Sequence, residues 1–454
     1  ISRTYNEAYL IRVQGPLQAE VLRESLQELV NRHDALRTTF AADGSGQTIA
    51  GRVQVKLVSK SIAGHSDDVG INLRLNELVR EATSELFDLT AGPLFRFILF
   101  DLGNQHWAVL LVIHHLIADG WSWGVILEEF GELYTAKVTG GVLPNRPALQ
   151  YSNYVSWERS PSQRDRVASA ESHWLKLFAD RPENLELPTD RPRPSRKTYR
   201  SGRVCHAFDA NLVASLKETA RSFNCTMFQL LTASFCAWIH RLTGREDLVV
   251  AVPTAGQLAS GLRECSHADR LVGHCVNMLP VRLHCAGGVS FRELLQHART
   301  CVLTARYHQD VSFNNLIGKL QWPRDLSRSR IASVSLNLGK LHQVQLGGLV
   351  AETELPPKAY NFFDLTADVL EAHGKLVVDC KFNLDLFDES TVTRWLAQWE
   401  HILAAAVANS DMPIRELDLL SQAERRQLLI EWNTTEREFP PEACLHQLVA
   451  EQVE

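Results

Sequence analysis

Two adjacent histidines, His114 and His115, close the apolar run Val109-Leu110-Leu111-Val112-Ile113, and Asp119-Gly120-Trp121-Ser122 follows shortly after. A five-residue apolar run bounded this way reads as a buried strand. A strand end that delivers imidazoles into a cleft suits proton chemistry, because histidine titrates near neutrality. Glycine after the aspartate permits close backbone approach. A lone histidine in such a place is more often a satisfied core residue. The whole pattern, two histidines with Asp-Gly at fixed spacing before a helix start, argues for an active site.

The elements that must position this loop can be read on either side of it. Ala8–Val13 is predicted as a strand. Pro16 opens a predicted helix with Leu17, Val21, Leu22, Leu26, Leu29 and Val30 at helical spacing. Leu94–Phe100 and Trp107–Ile113, separated by Asp101-Leu102-Gly103-Asn104, suggest an antiparallel hairpin. Ser122 is a candidate cap for a helix running to about Tyr134. The proline- and arginine-rich stretch Leu187–Pro194 is the candidate linker between two halves. Beyond it, helices are predicted through Leu212, Leu216 and Ala220, over Thr226–Leu242 (apolar nearly all round), over Phe291–Tyr307 and over Val392–Val407. Strands are predicted at Leu248–Val252, Asn277–Leu283, Ile331–Leu338, Phe362–Leu370 and Leu376–Phe382. The class is α+β, or mixed α/β, in two lobes.

Composition narrows the function. Charged residues make up 22% and hydrophobic ones 45%, a globular balance that excludes disordered and collagen-like classes. A formal charge of -6 argues against a nucleic-acid partner. No apolar run approaches the ~20 residues of a membrane span. The first residues, Ile1 to Asn6, resemble neither a signal peptide nor a translation start, so an internal piece of a larger protein is expected. The nine cysteines lie at 205, 225, 236, 265, 275, 285, 301, 380 and 444, with no C-x-x-C pair. They read as thiols in a reducing cytoplasm, with no metal site.

His114-His115-Leu116-Ile117-Ala118-Asp119-Gly120-Trp121-Ser122 resembles the signature of nonribosomal peptide synthetase condensation domains, in the chloramphenicol acetyltransferase-like superfamily. Other segments resemble the family in its order. Arg32–Phe40 is similar to R-H-E-x-L-R-T-x-F, with Asp34 for Glu. Tyr151–Trp157 is similar to Y-x-D-[FY]-A-x-W, with two departures. Val272–Arg282 resembles G-x-F-V-N-T-x-x-x-R, departing from its F-V-N-T form toward the subgroup that accepts polyketide-type or unusual acyl donors. His308-Gln309-Asp310 and Arg324–Arg328 match two later segments. The earliest family segment, S-x-A-Q-x-R-L-W, is missing. Leu445–Val453 is close to the opening H-x-L-F-E-x-Q-V pattern of an adenylation domain.

The resemblance implies two acetyltransferase-like lobes forming a V-shaped pseudo-dimer around a tunnel. The implied division is residues 1–180, 181–425, and 426–454 as linker and start of an adenylation domain. It implies an acyltransferase that forms an amide between a donor acyl or peptidyl thioester and the amine of an acceptor aminoacyl thioester. Such chemistry serves antibiotic or secondary-metabolite biosynthesis, including hybrid polyketide–peptide products. Donor and acceptor carrier proteins, bearing phosphopantetheine, and an adjacent adenylation domain are the implied partners. No cofactor bound by the domain itself is implied. His115 and Gly120 carry the implied catalytic roles, Gly120 as oxyanion donor. His114 is implied to pack within the loop, and Asp119 to pair with Arg282 and so hold it. Trp121, Ser122 and Asn337 are implied along the substrate tunnel. Alternatives are a chain-initiating domain that takes acyl-coenzyme A and a non-catalytic docking domain. Heterocyclisation is disfavoured because that subfamily has Asp where His114 and His115 stand; epimerisation is disfavoured by the adenylation-like tail.

Overall fold

The computed structural model describes residues 2–62, 68–144, 147–259, 262, 266–372, 374–436 and 444–453. The first half of the chain supplies β1 (Asn6–Gln14), β2 (Thr38–Phe40), β3 (Gln47–Ile49), β4 (Leu57–Ser61), β5 (Phe95–Gly103) and β6 (His106–His114). The second half supplies β7 (Ser201–Ala207), β8 (Asp247–Thr254), β9 (Asn277–His284), β10 (Val334–Lys340), β11 (Val350–Glu354), β12 (Leu365–Ala372) and β13 (Lys375–Asn383).

Residues 109–113 are apolar without a break because both faces of β6 are covered. Val109, Leu111 and Ile113 pack on one side with Leu22 and Leu26 of helix Ala19–Arg32 and Ile126 and Phe130 of helix Gly120–Thr139. Ala108, Leu110 and Val112 pack on the other with Leu75, Leu78 and Val79 of helix Asp68–Ser84. β6 lies in the interior of a five-stranded sheet ordered β11-β1-β6-β5-β4. The hairpin of β5 and β6 is antiparallel, but β5 runs on to Gly103 and the turn falls at Asn104 and Gln105. Both have positive φ, 51° and 59°, which matches the twist of the paired strands. The first helix begins at Ala19 rather than Pro16. The Leu17 N–H instead closes a tight turn on Gly15 O, where Gly15 has φ 125°.

The second sheet is ordered β7-β13-β12-β10-β8-β9, with β10 parallel to β8 and β12 and the other pairs antiparallel. Its two faces differ sharply. Leu336, Leu365, Ala367, Val378, Cys380 and Phe382 join Phe235, Trp238 and Trp399 in one apolar core with the covering helices. The alternate positions are polar. Lys381 Nζ lies 2.6 Å from Asp368 Oδ2 and 3.1 Å from Asp379 Oδ2, and Arg203 Nε lies 2.6 Å from Asp379 Oδ1. Burial works against the Lys381 charge, but the two carboxylates outweigh it and raise the pKa. Lys381 also acts on the Glu7 carboxyl of β1, so this polar face looks toward the first sheet.

The first sheet is completed by chain from beyond residue 180. β11 pairs antiparallel with β1, Leu10 opposite Glu354 through Gln14 opposite Val350. Val344 and Leu346, just before it, are buried in the first core. The same segment crosses helix Gly120–Thr139 where the helix carries glycine. A Cβ on Gly131 would sit 2.6 Å from Gln345 O, and one on Gly124 2.7 Å from the His342 ring. The proline-rich stretch 187–194 is pinned to the second lobe: Asp190 N–H donates to Leu386 O, and Arg193 pairs with Asp364 at 2.8 Å. Eight described cysteines are free thiols, four of them buried; Cys265 lies outside the described residues. Among the described residues no helix is long and apolar enough to cross a membrane. The adenylation-like tail lies partly outside the described residues, and its helix Leu445–Val453 contributes nothing buried.

Candidate active site

β6 ends at His114, opposite Asn6, and the His115 N–H donates to Tyr5 O at 2.7 Å. Alternation places His114 on the face of Val112. There its ring meets Phe87 edge-on at 6.0 Å and stacks on Tyr5 at 6.2 Å. It is 4% exposed, and its Nδ1 accepts the Leu116 N–H at 3.2 Å. Burial, then the neighbouring charge of His115, lowers its pKa to about 4, so the ring is neutral at pH 7.

His115 is half-buried. Its Nδ1 lies 2.9 Å from Ala118 O. A carbonyl oxygen only accepts, so this contact requires the proton on Nδ1 and leaves the lone pair on Nε2. The same Nδ1 lies 3.3 Å from Nδ1 of His274, and the rings meet edge-on with centroids 5.0 Å apart. Glu7, on β1 opposite Ile113, pairs with Lys358 at 2.5 Å. Burial raises the Glu7 carboxyl, but the charges of Lys358 and His115 outweigh this and hold it below the usual range.

Asp119 is 1% exposed and caps helix Gly120–Thr139. Its Oδ1 accepts from Ser122 N (2.9 Å), Ser122 Oγ (2.7 Å) and Gln257 Nε2 (3.2 Å); its Oδ2 accepts from Cys275 N (3.0 Å) and Gln257 Nε2 (3.1 Å). Arg282 is not its partner. The guanidinium binds Asp247 (2.9 and 2.7 Å), Asp180 (2.8 Å) and Leu177 O (2.7 Å). The reason is strand direction. Cys275 precedes β9 while Arg282 stands well inside it, and seven extended residues separate positions by roughly 20 Å. Asp119 needs no cation, because N–H donors and the positive end of the helix answer its charge.

Ser122 is a second correction, as both helix cap and tunnel residue. It is 0% exposed, and its Oγ accepts the Gly273 N–H at 3.0 Å while donating to Asp119, so it has no surface to offer a substrate. Gly120 is exposed, and a Cβ there would meet nothing within 4 Å. As first residue of its helix, its N–H has no partner within the helix. Trp121 is half-buried and donates from Nε1 to Asp269 O at 2.8 Å. Asn337 stands on the polar face of the second sheet, its Nδ2 3.2 Å from Asp368 Oδ1.

Sequence reasoning missed Tyr5, Glu7, Gln257 and His274 as members of this constellation. Only His274 left a signal, as the residue after Gly273 in a segment already singled out. Among the described residues no group of three or more His, Cys, Asp or Glu is arranged to hold a metal ion.

Comparison with known proteins follows the same lines. The family described as Condensation domain matches residues 2–429. One of the linear gramicidin synthase proteins of Brevibacillus parabrevis is 33% identical over 460 residues, which covers 99% of this chain and 9% of that synthase. Malpibaldin synthetase of Mortierella alpina is 31% identical over 463 residues, which covers 100% of this chain and 8% of that synthetase. The chain therefore spans under a tenth of the length of either relative. The X-domain from teicoplanin biosynthesis superposes with a TM-score of 0.80 at 24% identity, over 92% of this chain and 94% of that one. A starter condensation domain of rhizomide synthetase, solved with C8-CoA, superposes at 0.79 with 22% identity, over 92% and 93%. These two likenesses show the fold.

Proposed function

The chain belongs to the condensation-domain family, and from that premise we propose that it joins two thioester-bound substrates through an amide bond. The donor is an acyl or peptidyl thioester and the acceptor an aminoacyl thioester. Each is carried on the phosphopantetheine of a carrier protein, and an adenylation domain is the neighbour that loads the acceptor. The amine nitrogen attacks the donor carbonyl carbon, the C–S bond breaks, and the chain passes to the acceptor while the donor thiol departs.

The observation that carries this reading is His115: a half-buried imidazole whose Nδ1–H is tied to Ala118 O, leaving a basic Nε2. A free α-amine has a pKa of about 7.7–8.0, so a tenth or so is neutral at pH 7 and prior deprotonation supplies only ~1 kcal/mol. Once nitrogen has attacked it becomes strongly acidic, and that is the proton His115 takes and returns to the leaving sulfur. The Gly120 N–H, at the positive end of its helix, serves as donor to the oxyanion. His114 and Asp119 shape the loop. Trp121 and Asn337 border the substrate path.

Intact-protein mass spectrometry of loaded donor and acceptor carriers mixed with the protein tests this. The acceptor carrier gains the donor acyl mass, and His115→Ala slows that gain about 10²–10⁴-fold with circular dichroism unchanged. A parallel arm offers acyl-coenzyme A with the loaded acceptor, which separates initiation from elongation. No transfer in either arm, or an unimpaired His115→Ala protein, sinks the reading.

A further inference from the structure

We propose that His274 is a positioning residue whose Nδ1 is a second acceptor for the His115 Nδ1–H, a contact that strengthens as His115 takes up a proton at Nε2. The inference rests on the reading that His115 meets the acceptor amine. Its ground is the geometry around one nitrogen. His115 Nδ1 has two neighbours, Ala118 O at 2.9 Å and His274 Nδ1 at 3.3 Å. The carbonyl demands a proton on His115 Nδ1. Two N–H groups cannot face each other at 3.3 Å, so His274 Nδ1 must present its lone pair and its proton must sit on Nε2.

The His274 environment keeps it that way. Burial first, and then the charge of His115, lowers its pKa to about 4, with Asp119 and a hydrogen bond to the His115 backbone opposing and His114 adding a small lowering. The ring is therefore a neutral acceptor across the working range. On its own segment the flanking Cys275 thiol is also held neutral, pushed up by burial and by Asp119. From helix Tyr151–Glu158, the Tyr151 hydroxyl donates to His274 O at 3.2 Å, holding the backbone and leaving the ring to His115.

When His115 takes the amine proton at Nε2, its Nδ1–H becomes the donor of a cation shared between two acceptors. Charge-assisted hydrogen bonds are about twice as strong as neutral ones. The second acceptor thus gains strength as the reaction proceeds, and an interaction that strengthens toward the transition state raises the rate. The loop does not need the ring for support, because Asp119 is already anchored on Cys275 N and Ser122 on Gly273 N.

Two variants test the assignment. His274→Leu removes the acceptor, and His274→Asn places a carbonyl oxygen where Nδ1 stood. Protein labelled with ¹⁵N-histidine, with His115→Gln used to assign the signal, reports the His115 tautomer without any substrate. Expected are the Nδ1–H tautomer in all three proteins, held by Ala118 O, with the chemical shift of that Nδ1–H moved in His274→Leu and largely restored in His274→Asn. Condensation of loaded carriers should fall roughly 10- to 100-fold in kcat for His274→Leu, the size expected for losing a hydrogen bond to a charged group, with KM little changed. His274→Asn should regain most of it. An unmoved His115 Nδ1–H shift or an unchanged kcat in His274→Leu overturns the proposal, as does a parent spectrum with the proton on Nε2. A parent protein that condenses nothing, yet whose His115 Nδ1–H shift moves in His274→Leu and returns in His274→Asn, refutes the functional reading and leaves the contact standing.

Discussion

Asp119 is a buried carboxylate whose charge is answered by N–H and O–H groups rather than by a guanidinium. Asp119→Asn would turn one acceptor oxygen into a donor facing the Cys275 N–H or Gln257 Nε2, at a cost of about 1–3 kcal/mol. Arg282→Leu removes the tie from Leu177 O and Asp180 to Asp247 in β8, a different set of groups. With no shared partner, the two costs should add to within about 0.3–0.5 kcal/mol. Urea unfolding of the parent, both single variants and the double variant measures this, and a double cost well below the sum would mean the two groups do interact. Legibility in the sequence followed the same division. His114, His115 and Asp119 were readable because they lie within six residues of one another. Gln257 and the Cys275 N–H were not, because a side-chain amide and a backbone N–H brought from 138 and 156 positions away leave no pattern. The Arg282 pairing came from family resemblance alone, and the run of β9 carries that residue elsewhere.

At the scale of elements, the buried strands and helices were legible wherever burial imposed an unbroken or periodic apolar pattern. β6, the helix Met227–Thr243 and the helix Phe291–Tyr307 all show this. Helix Asp68–Ser84 was not, since its buried residues, Leu75, Leu78, Val79 and Ala82, begin only at its eighth position. β11 was invisible for a different reason. Val350-Ala351-Glu352-Thr353-Glu354 is an edge strand, which needs one paired side and little apolar content. The loop joining β6 to its helix has its own pH signature. His114 and His274 both have folded pKa values of about 4, against 6.5 for an unperturbed ring. Below pH 6.5 the unfolded chain takes up protons that the folded protein refuses, so stability falls as pH drops from 6.5 to about 4 and levels off beneath. Urea midpoints taken between about pH 7 and 4 should show that slope, and His114→Gln should flatten it. An equal slope in the variant would mean that other groups carry the acid sensitivity.

Across the whole molecule, the two lobes are fastened at several points besides β11. Arg270, from the loop between β8 and β9, reaches Glu129 at 2.9 and 3.2 Å, and Glu129 also holds His33 at 3.1 Å. Burial raises the Glu129 carboxyl, but these partners outweigh it and keep it ionised. Arg270→Leu should therefore lower the urea midpoint while unfolding remains a single transition, coincident by tryptophan fluorescence and far-UV circular dichroism. Two separated transitions in the parent protein would show lobes that fold independently. The crossing of β11 into the first sheet also bears on how the chain is made. On a ribosome, β1 is extruded more than 300 residues before the strand that will cover its edge. At ~5–20 residues per second, that edge waits on the order of tens of seconds. Bare strand edges recruit other strands, and the nascent first lobe carries one through most of its synthesis. For much of the same interval Asp119 also lacks Gln257 and the Cys275 N–H, so His115 is translated well before the groups that set it. A ribosome-bound chain halted before Val350 should seek holding chaperones, and one released there should clump rather than work.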